Sequence, residues 1–121
     1  MKQIIHGSCP SKSNSYKIIK LPNGAYSLGK TSALKKYEKD FFIQCNVYRD
    51  AMIDSYFEFY MDVFYANQRS DLDNSAKVVL DCIQKVKGIV NDNKCVKMVL
   101  RKFLDKDKPR VEFFIKKIAD F

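Results

Sequence analysis

The sequence has one histidine, His6, and four cysteines, Cys9, Cys45, Cys82 and Cys95, that lie far apart and form no C-x-x-C pair. This scarcity argues against a zinc cage, which needs clustered soft donors, and against a disulfide framework. No apolar run approaches the ~18 residues that cross a bilayer. The polar Met1-Lys2-Gln3 start does not read as a signal peptide. No internal repeat, low-complexity tract or linker interrupts the chain. Acid is missing from the opening segment: seven lysines precede the first carboxylate, Glu38.

What is present is ordinary globular composition, 46% apolar and 30% charged over 121 residues. A chain of this size can bury roughly two thirds of its unfolded surface, so a single domain over residues 1–121 with its own core is expected. Lys and Arg number 22 against 14 Asp and Glu, a net charge of +8. Such an imbalance attracts polyanions and points to DNA or RNA, although basic charge also serves solubility. A membrane surface is disfavoured, because no helix pairs a basic face with an exposed apolar one. A cytoplasmic protein is expected.

Hydrophobic periodicity then sets the elements. Lys2–Gly7 reads as a short strand and Ser8–Ser15 as a polar, turn-rich segment. Tyr16–Leu21 and Ala25–Leu28 read as a hairpin about Pro22-Asn23-Gly24. Leu34, Tyr37, Phe41, Cys45, Tyr48 and Met52 recur at three or four, predicting a helix from Ser32 to about Met52 with Thr31 or Ser32 as its cap. Phe57, Phe59, Met61, Val63 and Tyr65 alternate with polar residues, predicting a half-buried strand. A second helix is expected from about Ser75 to Lys85 or Lys87, with Ala76, Val79, Leu80, Ile83 and Val86 inward and Gly88 ending it. Cys95–Leu104, with Val96, Met98 and Leu100 inward, and Val111–Ile115 read as a closing hairpin. The sum is an α+β fold with one mixed sheet and two main helices.

Two motifs compete for the chemistry. Gly24-Ala25-Tyr26-Ser27-Leu28-Gly29-Lys30-Thr31 formally matches the phosphate loop G-x-x-x-x-G-K-[ST]. Its interior holds bulky Tyr26 and Leu28, however, and the chain has too few strand–helix units for the parallel sheet such loops need. Val78-Val79-Leu80-Asp81, the only run with the letters of a second Mg²⁺ ligand, lies inside the second helix. No nucleotide cofactor is expected. The other motif is Asp71-Leu72-Asp73-Asn74. Carboxylates at i and i+2 of an extended chain project to one side and suit a hard cation, and Lys77 follows one turn into the helix. The same letters also make a good helix start, with Asp73 or Asn74 as cap, and Lys77 can simply pair with Asp81. Asn91-Asp92-Asn93 adds a further acid at an element boundary, where it equally suits a turn.

Arg69-Ser70-Asp71-Leu72-Asp73-Asn74-Ser75-Ala76-Lys77, followed by Leu80-Asp81, Gly88-Ile89-Val90 and Asn91-Asp92, resembles the RusA-type Holliday-junction resolvases, small homodimeric endodeoxyribonucleases. Ser11–Tyr16, Tyr37-Glu38 and Lys108–Val111 extend the resemblance more diffusely, so that it covers most of the chain. Asn91 stands where many members carry a second Asp, and Cys82-Ile83 replaces the common Ala-Leu.

The resemblance implies that Asp71, Asp73 and Asp92 bind Mg²⁺ (or Mn²⁺) and that Lys77 is an essential basic residue. It implies a DNA track through Lys12, Asn14, Lys17, Arg69, Asn74 and Lys77, a four-way DNA junction as substrate, and a homodimer. The expected reaction is metal-assisted phosphodiester hydrolysis. Surplus aromatics such as Tyr56, Tyr60, Phe64 and Phe114 fit either a second core layer or a subunit interface.

A helix from Ser75 to Lys87 would carry the chain ~20 Å from Asp73, whereas Gly88 to Asn91 spans at most ~14 Å. A site within one chain therefore needs a helix ending near Ile83 to Lys85; otherwise Asp92 comes from the other subunit. Two rivals remain: a non-catalytic, basic, dimeric DNA-binding module whose acids only cap helices, and a phosphotransfer enzyme. The second is disfavoured because Gln68-Arg69-Ser70 is not the apolar strand that such acids follow.

Overall fold

The computed structural model describes residues 1–120. Ten elements follow one another: β1 (Gln3–His6), a 3-10 turn at Lys12–Asn14, β2 (Tyr16–Lys20), β3 (Tyr26–Lys30), α1 (Ser32–Gln44), β4 (Phe57–Tyr65), α2 (Leu72–Lys85), a second 3-10 turn at Asp92–Lys94, β5 (Cys95–Leu104) and β6 (Arg110–Lys117). The main sheet is mixed, in the order β1-β6-β4-β5, and β2-β3 form a separate antiparallel ribbon. The α+β architecture of one mixed sheet and two helices is as the sequence predicts.

β4 is the centre of this arrangement. Its residues alternate between buried and half-buried along the whole strand. Phe57, Phe59, Met61, Val63 and Tyr65 all enter the core beneath the helices, which satisfies the period-2 rule completely. α2 contributes Ala76, Val78, Val79, Leu80, Cys82 and Ile83 to the same core, and α1 contributes Leu34, Tyr37 and Phe41.

Cys95–Leu104 and Val111–Ile115 do not form the expected hairpin. β5 runs parallel to β4 on one side, and β6 runs antiparallel to β4 on the other. The connection 105–109 rounds the end of β4, where the Asp105 amide donates to the Tyr65 carbonyl at 2.9 Å. β4-α2-β5 is thus a parallel crossover unit, the arrangement in which a helix must link the strands. As the outermost strand, β5 is only partly covered by α2. Val96 and Leu100 are half-buried, but Met98, expected inward, is 45% exposed.

α1 is shorter than its apolar stripe. Thr31 caps its start by accepting from the Leu34 amide at 3.2 Å. At the other end, the buried Gln3 of β1 donates to the Gln44 carbonyl and the Asn46 side chain (3.1 Å each) and accepts from the Val47 amide at 2.7 Å. One side-chain amide from a strand thereby replaces the next helical hydrogen bonds and ends the helix. Cys45 and Tyr48 stay in the core, as the stripe requires, but from a loop; Met52 is exposed with φ of 52°.

α2 ends at Lys85 in a Schellman cap: the Lys87 amide donates to Gln84 (3.1 Å) and the Gly88 amide to Ile83 (2.8 Å). Contrary to expectation, Lys87 (φ 61°) rather than Gly88 takes the left-handed position. Gly88 is required for space. A β-carbon there would sit 2.8 Å from the Ile83 side chain and 2.9 Å from the Tyr48 carbonyl. The chain then pairs with the segment before β4, through an Ile53–Ile89 bridge and a 3.0 Å bond from Val90 to Ile53.

Candidate nuclease site

The crossover places the start of α2 at the C-terminal end of β4, the edge of a parallel unit where ligand sites commonly form. Lys102 of β5 holds the approach, donating to the Gln68 and Ser70 carbonyls (3.0 and 2.7 Å) and lying 5.4 Å from the Tyr65 ring centre. Tyr65 then anchors the helix start. Its hydroxyl shares a 2.5 Å hydrogen bond with the buried Ser75 and donates to the Asp71 carbonyl at 3.4 Å. Burial pushes the Tyr65 hydroxyl pKa up, and the nearby Asp71 and Asp73 carboxylates add to the shift.

Asp71 is the N-cap residue, one turn earlier than the sequence suggests, so Asp73 and Asn74 lie inside the helix rather than capping it. The Asp71 side chain makes no capping hydrogen bond. Asp73 accepts only from the adjacent Asn74 amide, at 3.0 Å. Both acids are exposed, beside the positive end of the helix dipole. Arg69 is exposed on the preceding loop, with its amide bonded to Asn67.

Lys77 does not pair with Asp81. Asp81 turns instead to Lys12 of the N-terminal loop, at 2.5 Å, and this partner holds the Lys12 pKa above its ordinary value. Lys77 is exposed, and no described residue bonds its ammonium. It lines a cleft of about 520 Å³ together with Lys12, Leu80, Asp81, Asp92, Cys95, Val96, Lys97 and Met98.

Asp92 opens the 3-10 turn before β5, with its amide on the Gln84 side chain at 3.3 Å and Asn91 capping the turn. Lys77, on the opposite wall, lies one helical turn, ~6 Å along the axis, beyond Asp73. α2 ends at Lys85, which meets the length condition for a site within one chain. Even so, among the described residues no three His, Cys, Asp or Glu side chains gather as a metal-holding group. Asp71 and Asp73 share the helix start, Asp92 shares a cleft with Lys77, and one chain does not draw the three acids into one cage. Asn14 and Lys17 are exposed on the N-terminal turn and β2.

Sequence reasoning missed three supporting residues. Lys97 joins the cleft, Lys102 fixes the loop before Asp71, and Gln84 holds the backbone of Asp92. Lys102 and Gln84 act through backbone groups distant in sequence, and nothing in local spacing marks such contacts. The formal phosphate-loop segment is strand: Tyr26–Lys30 pairs with β2, so its amides serve a ladder and Lys30 turns to Glu38 at 3.0 Å. No helix among the described residues is long and apolar enough to cross a membrane.

No curated protein matches the chain. The family model described as Endodeoxyribonuclease RusA matches residues 26–116, which include α1, α2, the whole cleft apart from Lys12, and the candidate acids. That span is most of the molecule, and the chain belongs to the RusA endodeoxyribonuclease family.

Proposed function

We propose that the protein is a Mg²⁺-dependent endonuclease that resolves four-way DNA junctions by paired phosphodiester hydrolysis, in recombination and repair. The observation that carries this reading is the set of unpaired charges at one end of α2. Asp71 and Lys77 have no side-chain partner among the described residues, and Asp73 only its neighbour's amide, while Asp81 nearby is neutralised by Lys12. Lys77 lines the cleft, and Asp71 and Asp73 stand exposed at the helix start, so all three are available to a ligand.

The donor set fits a hard divalent ion. Mg²⁺ keeps several waters and takes one or two carboxylates together with substrate phosphate, so it does not need a closed protein cage. Asp71 and Asp73 would hold it, with Asp92 completing the set. Bound there, it supplies a water of lowered pKa and neutralises phosphate charge. Lys77 sets a fixed positive charge against the phosphate as negative charge grows in the transition state. Arg69, Asn74, Lys12, Asn14 and Lys17 orient the DNA backbone, and the products carry a 5′-phosphate and a 3′-hydroxyl.

A homodimer fits the uncovered face of the main sheet. Tyr60 stacks on Phe114 (4.5 Å between ring centres) and Phe64 on Phe103 (4.9 Å), and Val99, Phe103 and Phe114 remain 37% exposed. Pairing on this face would remove a patch that monomers seldom leave open. Because one chain does not gather all three acids, a dimer in which Asp92 serves the partner's Asp71 and Asp73 is the arrangement to test. Mixing Asp92→Ala and Asp71→Ala chains should restore cleavage in the heterodimer. A mixture as inactive as its parents assigns each site to one chain.

The dispersed acids also favour a second reading, a basic dimeric DNA-binding module without catalysis. Single-turnover cleavage of a four-way junction, with Mg²⁺ and with EDTA, decides between them. Cleavage that requires Mg²⁺ and vanishes in Asp71→Asn, with junction binding retained, supports the nuclease. Binding without cleavage at any Mg²⁺ or Mn²⁺ concentration overturns it.

A further inference from the structure

A second cavity lies across the Lys12–Asp81 pair from the cleft of Lys77 and Asp92. It encloses about 360 Å³ between the β2-β3 ribbon, α1 and α2, and is lined by Lys12, Tyr16, Lys30, Leu34, Glu38, Val78, Asp81, Cys82, Gln84 and Lys85. Its floor is apolar, made by Leu34, Val78 and Cys82, all deeply buried. Tyr16 supplies an aromatic wall. The rim is cationic: Lys30 and Lys85 both reach Glu38 at 3.0 Å, and Lys12 reaches Asp81, so three ammoniums face two carboxylates.

Such a space suits a flat, mostly apolar body joined to an anion. The volume is at the small end of the roughly 300–1,000 Å³ usual for small-molecule sites, enough for one nucleotide and too little for a duplex. Lys12 and Asp81 line both cavities, so an occupant here adjoins a DNA strand lying along the cleft, with that ion pair between them. Gln84 adds an amide able to read a base edge, and its side chain already holds the Asp92 backbone.

We propose that this cavity is a base pocket: it takes one nucleotide, unstacked from the strand being cut, with the base against Tyr16 and the phosphate toward the lysine rim. The inference rests on the junction-cleaving function proposed above and extends it, since it makes Tyr16, Gln84 and Glu38 the determinants of which base is read on the strand being cut. Taking a base out of its stack is easiest where pairing is already broken, as at the crossover of a four-way junction. An aromatic wall receives any base, and polar groups such as Gln84 and Glu38 add preference. Lys30 thereby contributes to phosphate recognition as a side-chain cation and not as part of a phosphate-binding loop.

The test uses the full-length protein in EDTA and four-way junctions carrying 2-aminopurine at successive positions around the crossover. Binding should brighten the fluorescence severalfold at one position. Tyr16→Phe should keep the signal and Tyr16→Ala should lose it. The surface double variant Lys30→Gln/Lys85→Gln, which leaves the core intact, should weaken it in parallel. A junction that is bound, and in Mg²⁺ cut, without brightening at any position overturns the pocket and leaves the nuclease reading standing. So does brightening that persists in both the Tyr16→Ala and the double variant, or a free deoxynucleoside monophosphate that fills the cavity while the bound junction stays dark. Failure to bind junctions at all overturns both.

Discussion

The two ends of α2 carry similar numbers of charges and use them in opposite ways. Toward its C-terminus the carboxylates contributed by α2 and by the adjoining α1 are engaged. Asp81 holds Lys12, and Glu38 on α1 holds both Lys30 and Lys85. These pairs tie the helix to the N-terminal loop, the β2-β3 ribbon and α1. Toward its N-terminus, among the described residues, Asp71 has no side-chain partner, Asp73 has one backbone amide beside it, and Lys77 has none. Their positions are fixed through other groups, by Tyr65, Ser75 and Lys102 acting on backbone and on the helix start. The lesson is that a scaffold can place charges accurately without neutralising them, and the charges left over are the ones proposed above for chemistry.

That contrast can be broken by mutation. The largest effect should come from Asp71→Asn, which should lower single-turnover junction cleavage by at least about a thousandfold, some 4 kcal/mol of barrier at 1.4 kcal/mol per tenfold. Its melting temperature and junction affinity should be unchanged or slightly raised, as one negative charge near the DNA is lost. Cleavage at the parental rate would remove Asp71 from the site. Lys77→Ala should follow, losing cleavage by about a hundredfold, the scale of removing one preorganised stabiliser. Because no described residue pairs with Lys77, the unfolding free energy of the variant should move by less than about 0.5 kcal/mol in urea.

At the other end the signs reverse. Gly88→Ala should destabilise by about 1–3 kcal/mol in urea denaturation, since the new methyl meets a backbone carbonyl and a packed side chain. A variant as stable as the parent would show that the turn can open. Asp81→Asn breaks a half-exposed pair and should cost under about 1 kcal/mol.

Glu38 should give the smallest effect, visible as a pH dependence. Burial opposes its charge, but Lys85 and Lys30 more than offset this and hold its pKa below 4.5. Its contribution to stability is therefore fully present above 4.5 and is lost as pH falls through the lower folded value. Glu38→Gln should flatten that part of an acid denaturation profile. An unchanged slope would mean that the lysines do not act on it.

The sequence was most legible where one local rule decides the structure. β4 alternates because both its sheet partners and its helix cover need it to, and the turn Pro22-Asn23-Gly24 joins two strands that pair as expected. It was least legible where a distant group intervenes. The apolar stripe through Cys45 and Tyr48 describes burial correctly but not helicity, because Gln3, far away in sequence, ends the helix. The alternation of β5 suggests an inward Met98, but no periodicity reveals that β4 separates this strand from β6. At the candidate site, the letters of Asp71–Lys77 singled out two acids and a lysine that the fold leaves exposed. The Lys12–Asp81 pair and the cavity beyond it depend on tertiary closure of residues 69 apart, which spacing cannot report.

The bridge from Ile89 to Ile53, together with the lack of room at Gly88, has a mechanical consequence. Asp92 is mounted on the segment that leads into β4, whereas Asp71 and Asp73 ride on the opposite end of α2. Backbone bonds from Asp50, Met52 and Ile53 to Val86, Lys87 and Gly88, with Gln84 on the Asp92 amide, clamp the far end of that helix, so α2 acts as a strut whose length sets the distance between the acids.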